Sequence, residues 1–158
     1  MQVITTLKEH PEYLAEAIRY FQNQWASPNS LMVYEDSLTH SFSANPLPQW
    51  LLLVNEEIAA DGRYQIIGCG GLIPNDFISR MDLTPWLCAL YVDPLWRGQG
   101  GARLLIETAK QRAAGAGFDS LYLCTDLSTF YEQFAFEPIG TGYHPWGESS
   151  TIYRCSLT

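Results

Sequence analysis

A glycine-rich turn between an apolar strand and an amphipathic helix is the segment of this chain best suited to bind an anion. Pro94 cannot donate a hydrogen bond to a sheet, so the strand Trp86–Val92 is predicted to end just before it. Gly98, Gly100 and Gly101 follow, and because they lack a Cβ the backbone there can turn tightly and approach a ligand. The first N–H groups of the helix that begins beside them have no intrahelical acceptor and lie at the positive end of the helix dipole. The segment is therefore predicted to bind phosphate.

The order of residues in this turn separates it from the commonest phosphate loops. The turn lacks the Gly-Lys-Ser/Thr ending of a Walker A loop, and its glycines do not match the spacing of the dinucleotide fingerprint. The residues Arg97-Gly98-Gln99-Gly100-Gly101-Ala102 do fit the pattern Arg/Gln-x-x-Gly-x-Gly/Ala. Preceded by Leu-Tyr-Val-Asp-Pro and followed by Leu-Leu, the segment resembles the acetyl-CoA-binding motif of the GNAT N-acetyltransferase superfamily. A strand-to-helix turn without a ligand is the alternative.

A second segment carries the resemblance further along the chain. The run Phe130-Tyr131-Glu132-Gln133-Phe134-Ala135-Phe136 is similar to the Tyr-Glu-Lys-x-Gly-Phe element of that family. The matching features together cover about residues 64–142. Two positions depart from the family: Ala135 stands where glycine is usual, and Thr125-Asp126 stands where an asparagine often follows the fifth strand.

The resemblance implies that the chain binds acetyl-CoA. Backbone N–H groups from Gln99 to Leu104 would hold the pyrophosphate, and a gap between strands 86–92 and 120–124 would admit the pantetheine arm. A backbone N–H near Tyr91 or Val92 would donate to the thioester oxygen as charge develops there. The residues implied to contact the cofactor are Leu90, Tyr91, Val92, Arg97, Gly98, Gln99, Gly100, Gly101, Ala102, Arg103 and Tyr131.

Direct acetyl transfer to an amine requires an acid for the leaving thiolate and a base for the amine. Tyr131 matches the family's usual general acid, and a phenol with a reference pKa of about 10 can protonate a thiolate. Packing among the neighbouring phenylalanines is the alternative for Tyr131. The candidate bases are Asp82, His144, whose imidazole suits proton transfer near neutral pH, and Glu35. A solvated position without a catalytic role is the alternative for each of the three.

Aromatic and acidic side chains from separate segments are predicted to surround the acceptor. In the implied fold the substrate-binding candidates are Tyr34, Glu35, Trp86, Tyr143 and Trp146. Trp25 belongs to the same group, but is predicted mainly to pack in the core. Aromatic rings beside carboxylates suit an amine with an apolar or sugar body, partly through cation–π contacts. Core packing is the alternative for Trp86 and Trp146.

Charge and composition limit the partners of the protein. The 158-residue chain has 17 acidic against 9 basic residues, which argues against nucleic acid and favours a cationic acceptor. No apolar run approaches the roughly 20 residues that span a bilayer, and the start of the chain does not resemble a signal peptide, so we expect a cytoplasmic protein without a membrane partner. The four cysteines form no C-x-x-C pair and are predicted to be free thiols, and no metal is expected.

A mixed α/β sandwich must position these residues, as one domain over residues 1–158. The order of the predicted elements is that of the GNAT fold: a central mixed, mostly antiparallel sheet of about seven strands flanked by about four helices, in which the parallel strands 86–92 and 120–124 splay apart. The strands are predicted at residues 3–7, 50–54, 64–72, 86–92, 120–124, 136–141 and 149–156. The helices are predicted at residues 12–25, 31–41, 102–114 and 128–134, and residues 55–62 are predicted to be a polar turn.

The sequence therefore predicts an N-acetyltransferase that passes the acetyl group of acetyl-CoA directly to the primary amine of a small molecule, in a ternary complex. One alternative keeps the fold but places a peptide or protein N-terminus at the acceptor position, in a long open acidic groove instead of a closed aromatic pocket. The other alternative is a non-catalytic acyl-CoA-binding module. The resemblance also implies a homodimer as one form of assembly.

Overall fold

The computed structural model describes residues 2–126 and 129–158. Its strands are β1 (Gln2–Thr6), β2 (Gln49–Ala60), β3 (Arg63–Ile73), β4 (Trp86–Val92), β5 (Ser120–Thr125), β6 (Glu137–Tyr143) and β7 (Ser149–Ser156). Its helices are α1 (Leu14–Trp25), α2 (Leu31–Thr39) and α3 (Gly101–Gly115), and short 3₁₀ turns lie at Pro11–Tyr13, Pro94–Trp96 and Phe130–Phe134. The strands form one sheet in the spatial order β1-β2-β3-β4-β5-β7-β6. The predicted seven-stranded mixed sheet is thus confirmed.

Strands β4 and β5 are the parallel pair of an otherwise antiparallel sheet. In the described residues their register holds one pair, Trp86 with Tyr122. Beyond that pair the two strands diverge, which confirms the predicted splay. We refer to the space between them as the β4–β5 gap. Backbone groups of a strand that diverges from its neighbour are available to a ligand instead of to the sheet.

Each face of the sheet carries its own core. On β2, Leu51 and Leu53 pack with the buried face of α3, whereas Trp50 and Leu52 pack with α1 and α2. This alternation follows from the two-residue period of a strand, and it makes β2 apolar on both faces. The β4–β5 gap therefore lies in a sheet that is covered on both faces, by α3 on one face and by α1 and α2 on the other.

The predicted polar turn at residues 55–62 is wrong. Strand β2 continues to Ala60, and the turn contains only Asp61 and Gly62, with φ of 51° and 78°. Asp-Gly is the typical pair for a two-residue hairpin whose central residues both need positive φ. The pairing of β2 with β3 changes register twice, between Leu53 and Val54 and between Asn55 and Ala59, and the second change spans the polar residues of β2.

The predicted fourth helix, at residues 128–134, is a 3₁₀ turn at Phe130–Phe134, and its predicted start at Ser128 lies outside the described residues. This 3₁₀ turn is five residues long, and Ala135, which ends it, is in the left-handed conformation. The helix predicted from residue 12 begins as a 3₁₀ turn at Pro11–Tyr13 and becomes α-helical at Leu14.

Candidate active site

The glycine turn opens the N-terminus of α3. Gly98 and Gly100 have φ of 80° and 83°, a conformation that residues with a Cβ rarely adopt. Gly100 is the N-cap residue of α3, and its carbonyl oxygen accepts the N–H of Leu104 at 3.0 Å. Because Gly100 has no side chain, it cannot cap the N–H groups of the residues that follow it, and these first N–H groups of the helix have no acceptor within it. This is the arrangement that a pyrophosphate group requires.

Gly101 is a glycine for a different reason. A Cβ at this position would lie 2.8 Å from Leu53 Cδ2 and 3.2 Å from Gln2 Oε1, so the first turn of α3 presses directly against β1 and β2. At Gly98 and Gly100 a Cβ would meet nothing within 4 Å. The two left-handed glycines thus leave open space at the helix N-terminus, and this space together with the free N–H groups fits the diphosphate of coenzyme A.

The two arginines predicted to contact the cofactor make contacts within the protein. Arg97 Nε donates to the carbonyl oxygen of Val92 at 2.8 Å, and its guanidinium lies 5.3 Å from the centre of the Tyr91 ring. The guanidinium of Arg103 lies 4.9 Å from the centre of the Phe134 ring. Arg97 therefore braces the end of β4 against the turn, and Arg103 links α3 to the 3₁₀ turn that carries Tyr131.

A cavity of about 870 Å³, which we call the central cavity, lies at the β4–β5 gap. Strand β4 lines it with Leu87–Leu90, and β5 lines it with Leu123–Thr125. The remaining walls come from the helices and loops on the α1 side of the sheet and from Tyr131. The side chains that matter below are Trp25, Tyr34, Asp36, Asp76, Phe77, Asp126, Tyr131, His144, Trp146 and Ser150.

Tyr131 is half-buried at the edge of this cavity. Its ring lies edge-on to Phe130, with centroids 4.9 Å apart, and edge-on to Phe136 at 6.1 Å. Burial raises the pKa of the Tyr131 phenol to about 12. The hydroxyl is therefore protonated throughout the neutral range and is available as a hydrogen-bond donor at the edge of the cavity.

Asp76 is a cavity carboxylate that the sequence analysis did not select. The Asn75 side chain accepts the N–H of Ile78 and donates to the Ile78 carbonyl, each at 3.0 Å, and thereby holds the loop that presents Asp76. Burial raises the pKa of Asp76, against the lowering effects of the Cys124 thiol and of His144. The available signal in the sequence was the position of Asp76 in the loop that follows β3, three residues after Ile73.

His144 has a partner for each ring nitrogen. Nδ1 lies 2.8 Å from the carbonyl oxygen of Phe77, and Nε2 lies 2.8 Å from Ser150 Oγ. A carbonyl oxygen only accepts, so Nδ1 carries the proton of the neutral ring and Nε2 accepts the Ser150 hydroxyl. The ring stacks on Trp146 with centroids 4.7 Å apart and planes nearly parallel. The basic nitrogen of His144 therefore faces a hydroxyl on the wall of the cavity.

The other predicted site residues lie away from the described lining of this cavity. Trp86 is fully buried in the core, where its indole donates to the Leu83 carbonyl at 2.7 Å. Asp82 is exposed and pairs with Arg80 at 2.8 Å, an interaction that lowers the Asp82 pKa. Tyr143 is 61% exposed. Glu35 lines a separate hollow on the outer side of α2. Tyr34, Trp146, His144, Tyr131 and Leu90 do come together at the cavity, as does Trp25, which was expected to pack in the core.

This architecture, an open helix N-terminus beside two splayed parallel strands, identifies the class of protein. The model of the acetyltransferase (GNAT) family matches residues 11–136, so the chain belongs to that family and is an acetyltransferase that uses acetyl-CoA. The predicted family and cofactor are thus confirmed. No curated protein matches the sequence significantly.

Solved structures with the same fold come from several acetyltransferases. YhbS from Escherichia coli, crystallised in complex with CoA, shares 21% identity at a TM-score of 0.71, with 99% of this chain and 82% of that chain covered. An aminoglycoside 6′-acetyltransferase type Ii shares 16% identity at a TM-score of 0.70, covering 99% and 97%. A chain of the NatC complex, bound to Gag peptide and CoA, shares 19% identity at a TM-score of 0.69, covering 99% of each chain. At these identities the likeness shows the fold.

Two further features of the structure bear on the predicted partners. Within residues 2–126 and 129–158, no helix is both long and apolar enough to cross a membrane. The same residues contain no group of three or more His, Cys, Asp or Glu side chains placed to hold a metal ion. The four cysteines are free.

Proposed function

We propose that this acetyltransferase transfers the acetyl group of acetyl-CoA directly to the primary amine of a small cationic molecule that binds in the central cavity. The composition of the cavity wall carries the proposal. Its described lining holds three carboxylates, Asp36, Asp76 and Asp126, and no lysine or arginine. Aromatic rings, among them Trp25 and Trp146, form much of the remaining wall. Carboxylates with aromatic faces attract an ammonium group and pack against its carbon skeleton.

The cofactor side of the site consists of the glycine turn and the β4–β5 gap. The backbone N–H groups at Gly101–Arg103 would hold the pyrophosphate of acetyl-CoA, and the pantetheine arm would pass between the diverging strands. Bound there, acetyl-CoA supplies an activated thioester. The protein holds this thioester beside the amine, so that the transfer needs no covalent enzyme intermediate.

The cysteines of the cavity support direct transfer. Burial raises the pKa of the Cys124 thiol to about 12 and that of Cys88 well above its ordinary value. Both therefore stay protonated at neutral pH, where only the thiolate is a good nucleophile. An acetylated cysteine is accordingly not part of the proposed mechanism.

Three side chains are assigned to the movement of protons and charge. Asp76 binds the ammonium form of the acceptor, because it is the carboxylate that is most buried in the wall. His144 takes the proton of the amine through the Ser150 hydroxyl that its Nε2 faces. Tyr131 donates its proton to the leaving thiolate. Asp82, Glu35, Trp86 and Tyr143 receive no role, since they do not line the cavity.

The alternative of a peptide or protein N-terminus as acceptor predicts a different surface. A peptide needs a groove that continues past the reactive amine, whereas α2, with Tyr34 and Asp36, covers the cavity on one side. The third hypothesis, an acyl-CoA-binding module, predicts tight binding without turnover. The cytoplasmic location and the homodimer stay predictions, and the proposed function does not depend on either.

A thiol-release assay with acetyl-CoA tests the proposal against polyamines, arylalkylamines, aminoglycosides and short peptides. We expect turnover with one class of small amine, and loss of acetyl-CoA binding in Gly100→Glu, which places a carboxylate in the pyrophosphate site. Gly117→Glu is the matched control, because Gly117 also has positive φ (94°) and open space around it but lies beyond the other end of α3. Turnover with peptides alone would support the peptide alternative. Binding without any turnover would support the module.

A further inference from the structure

Strand β4 contains a bulge where it borders the central cavity. Its register with β3 pairs Tyr91 with Cys69 and Cys88 with Gly71, so that Ala89 and Leu90 together lie opposite Gly70. Ala89 has a φ of 53°, a conformation that residues other than glycine seldom adopt inside a strand. A strained residue of this kind persists when its surroundings hold it, and such residues cluster at functional sites.

Two side chains hold the bulge by the carbonyl oxygen of Ala89. The indole Nε1 of Trp25 donates to this oxygen at 3.1 Å, and the Cys69 thiol donates to it at 3.3 Å. Burial raises the pKa of Cys69, so the thiol keeps the proton that it donates. Trp25 is the last residue of α1, and Cys69 lies on β3. The carbonyl therefore points toward α1 and toward the Cys69 side chain of β3.

The orientation of this carbonyl sets the direction of the next N–H group. The peptide bond between Ala89 and Leu90 is trans, so its N–H points opposite to its C=O. The Leu90 N–H is thus directed away from Trp25 and Cys69. Both Ala89 and Leu90 line the central cavity at the β4–β5 gap. In the register of β4 with β3, Leu90 has no partner residue of its own, because it shares Gly70 with Ala89.

The indole of Trp25 is only partly buried, and contacts with neighbouring aromatic rings orient it. The side chain is 43% exposed. Its ring lies edge-on to Tyr91, with centroids 6.4 Å apart, and Tyr91 lies edge-on to Tyr20 at 6.3 Å. The Tyr20 hydroxyl donates to Asp93 at 2.7 Å, at the end of β4. These contacts orient the indole so that its N–H reaches the bulge.

We propose that Trp25, assisted by Cys69, is a positioning residue for acetyl transfer: by holding the Ala89 carbonyl, it aims the Leu90 N–H at the thioester oxygen of bound acetyl-CoA. The proposal rests on the proposed position of the thioester in the β4–β5 gap, but not on which amine is acetylated. A hydrogen bond at this oxygen polarises the carbonyl and stabilises the charge that develops on it. The family resemblance implied a donor near Tyr91 or Val92, and the proposed donor lies one residue before Tyr91.

The test is the infrared carbonyl band of [1-¹³C]acetyl-CoA bound to the protein without an amine. We expect the band of the bound wild type to lie below that of free acetyl-CoA, and in Trp25→Phe to return most of the way to the free position. Phenylalanine retains an aromatic ring that can face Tyr91, but it is smaller than the indole and has no N–H donor. Trp146→Phe is the control for the band position, because Trp146 lines the same cavity without a bond to Ala89. With an active amine, kcat should fall about 10-fold in Trp25→Phe, less than the loss of the oxyanion donor itself.

Each outcome decides a different point. An unshifted wild-type band would show that the Leu90 N–H does not donate to the thioester oxygen. Equal bands in wild type and Trp25→Phe would show that Trp25 does not position this N–H. Either result would overturn the proposal. If Trp25→Phe does not fold, benzothienylalanine at position 25 retains the shape of the indole and still lacks the N–H. The infrared measurement needs no amine, so its result can be interpreted even if no acceptor is found in the thiol-release assay.

Discussion

His144 donates its Nδ1 proton to the carbonyl oxygen of Phe77 across 2.8 Å, and this contact decides which nitrogen can act as a base. With Nδ1 protonated, the lone pair of the neutral ring is on Nε2, which faces Ser150. The loop that supplies Phe77 also supplies Asp76. One short segment therefore orients the proposed base and presents the proposed acceptor carboxylate.

His144→Gln should lower kcat for the acetylated amine by about 100-fold, the range expected for the loss of a general base. Glutamine retains hydrogen-bonding capacity toward Phe77 and Ser150, but cannot accept a proton. Acetyl-CoA affinity should not change, since His144 lies on the acceptor side. Ser150→Ala should lower kcat in the same direction if the hydroxyl carries the proton. Steady-state kinetics and calorimetric binding of CoA check these expectations, and unchanged kcat in His144→Gln would remove His144 from the mechanism.

Asp76→Asn should raise KM for a cationic amine by about tenfold, roughly the value of one charged hydrogen bond, with a smaller effect on kcat. Asp82→Asn is the matched control: it changes the net charge equally, but Asp82 is exposed and paired with Arg80 outside the cavity. We expect no change in KM in this control. A large loss of kcat in Asp82→Asn, with Asp76→Asn unaffected, would instead make Asp82 the base.

Asp76 also predicts a pH dependence of stability. Burial raises its pKa in the folded protein above the unfolded value of about 3.9, so its contribution is fully present below that value and is lost as the pH rises through the folded pKa. Asparagine does not ionise. The free energy of unfolding of Asp76→Asn should therefore improve relative to that of wild type as the pH rises from about 4, as measured by urea titration at each pH.

The sequence predicted the elements that proline and glycine delimit. Strand β4 was predicted with its observed bounds, because Pro94 ends it. Helix α3 was predicted to follow the glycine turn, and it begins one residue earlier, at Gly101. The turn between β2 and β3 was predicted, but it was placed at residues 55–62 instead of at Asp61-Gly62, because the polar residues after Val54 were interpreted as loop. Local chemistry at a strand end is readable from sequence, whereas the length of a polar strand depends on its partner strand.

The site was predictable only in part, because its residues meet through tertiary contacts. Tyr131 and the glycine turn were found by their motifs. Which aromatic and acidic side chains face the cavity depends on loop conformation: the Asn75 side chain turns Asp76 inward, and the Arg80 pair keeps Asp82 at the surface. The bulge at Ala89 had no signal at all, since alanine gives no indication of positive φ.

Tyr131→Phe should lower kcat by about 10- to 100-fold, with little change in acetyl-CoA affinity, because it removes the acid for the thiolate and retains the ring. Tyr143→Phe, on an exposed ring outside the described cavity lining, is the control and should be neutral. Since burial raises the pKa of Tyr131 to about 12, the phenol keeps its proton well above its reference value of about 10. The kcat of the wild type should thus show no decline from this group up to about pH 10. A decline that disappears in Tyr131→Phe would show that the phenol ionises earlier.

Ala135→Gly should stabilise the protein slightly. Ala135 ends the turn that carries Tyr131 with a φ of 69°, where a Cβ costs roughly 1–2 kcal/mol. Glycine removes this strain but adds about 0.4–1 kcal/mol of chain entropy to the unfolded state, so the net gain should be about 0.5–1 kcal/mol.

The control for this prediction is Ala114→Gly, on an exposed position of α3, where the same substitution should destabilise the protein by up to about 1 kcal/mol. Opposite signs for the two variants in thermal or urea unfolding would show that the conformation at Ala135 is strained in solution. Ala135→Val extends the test, because a β-branched residue tolerates positive φ poorly. If the left-handed turn holds Tyr131 at the cavity, this variant should have both lower stability and lower kcat. Equal destabilisation by glycine at both positions would mean that Ala135 is not held in the left-handed conformation.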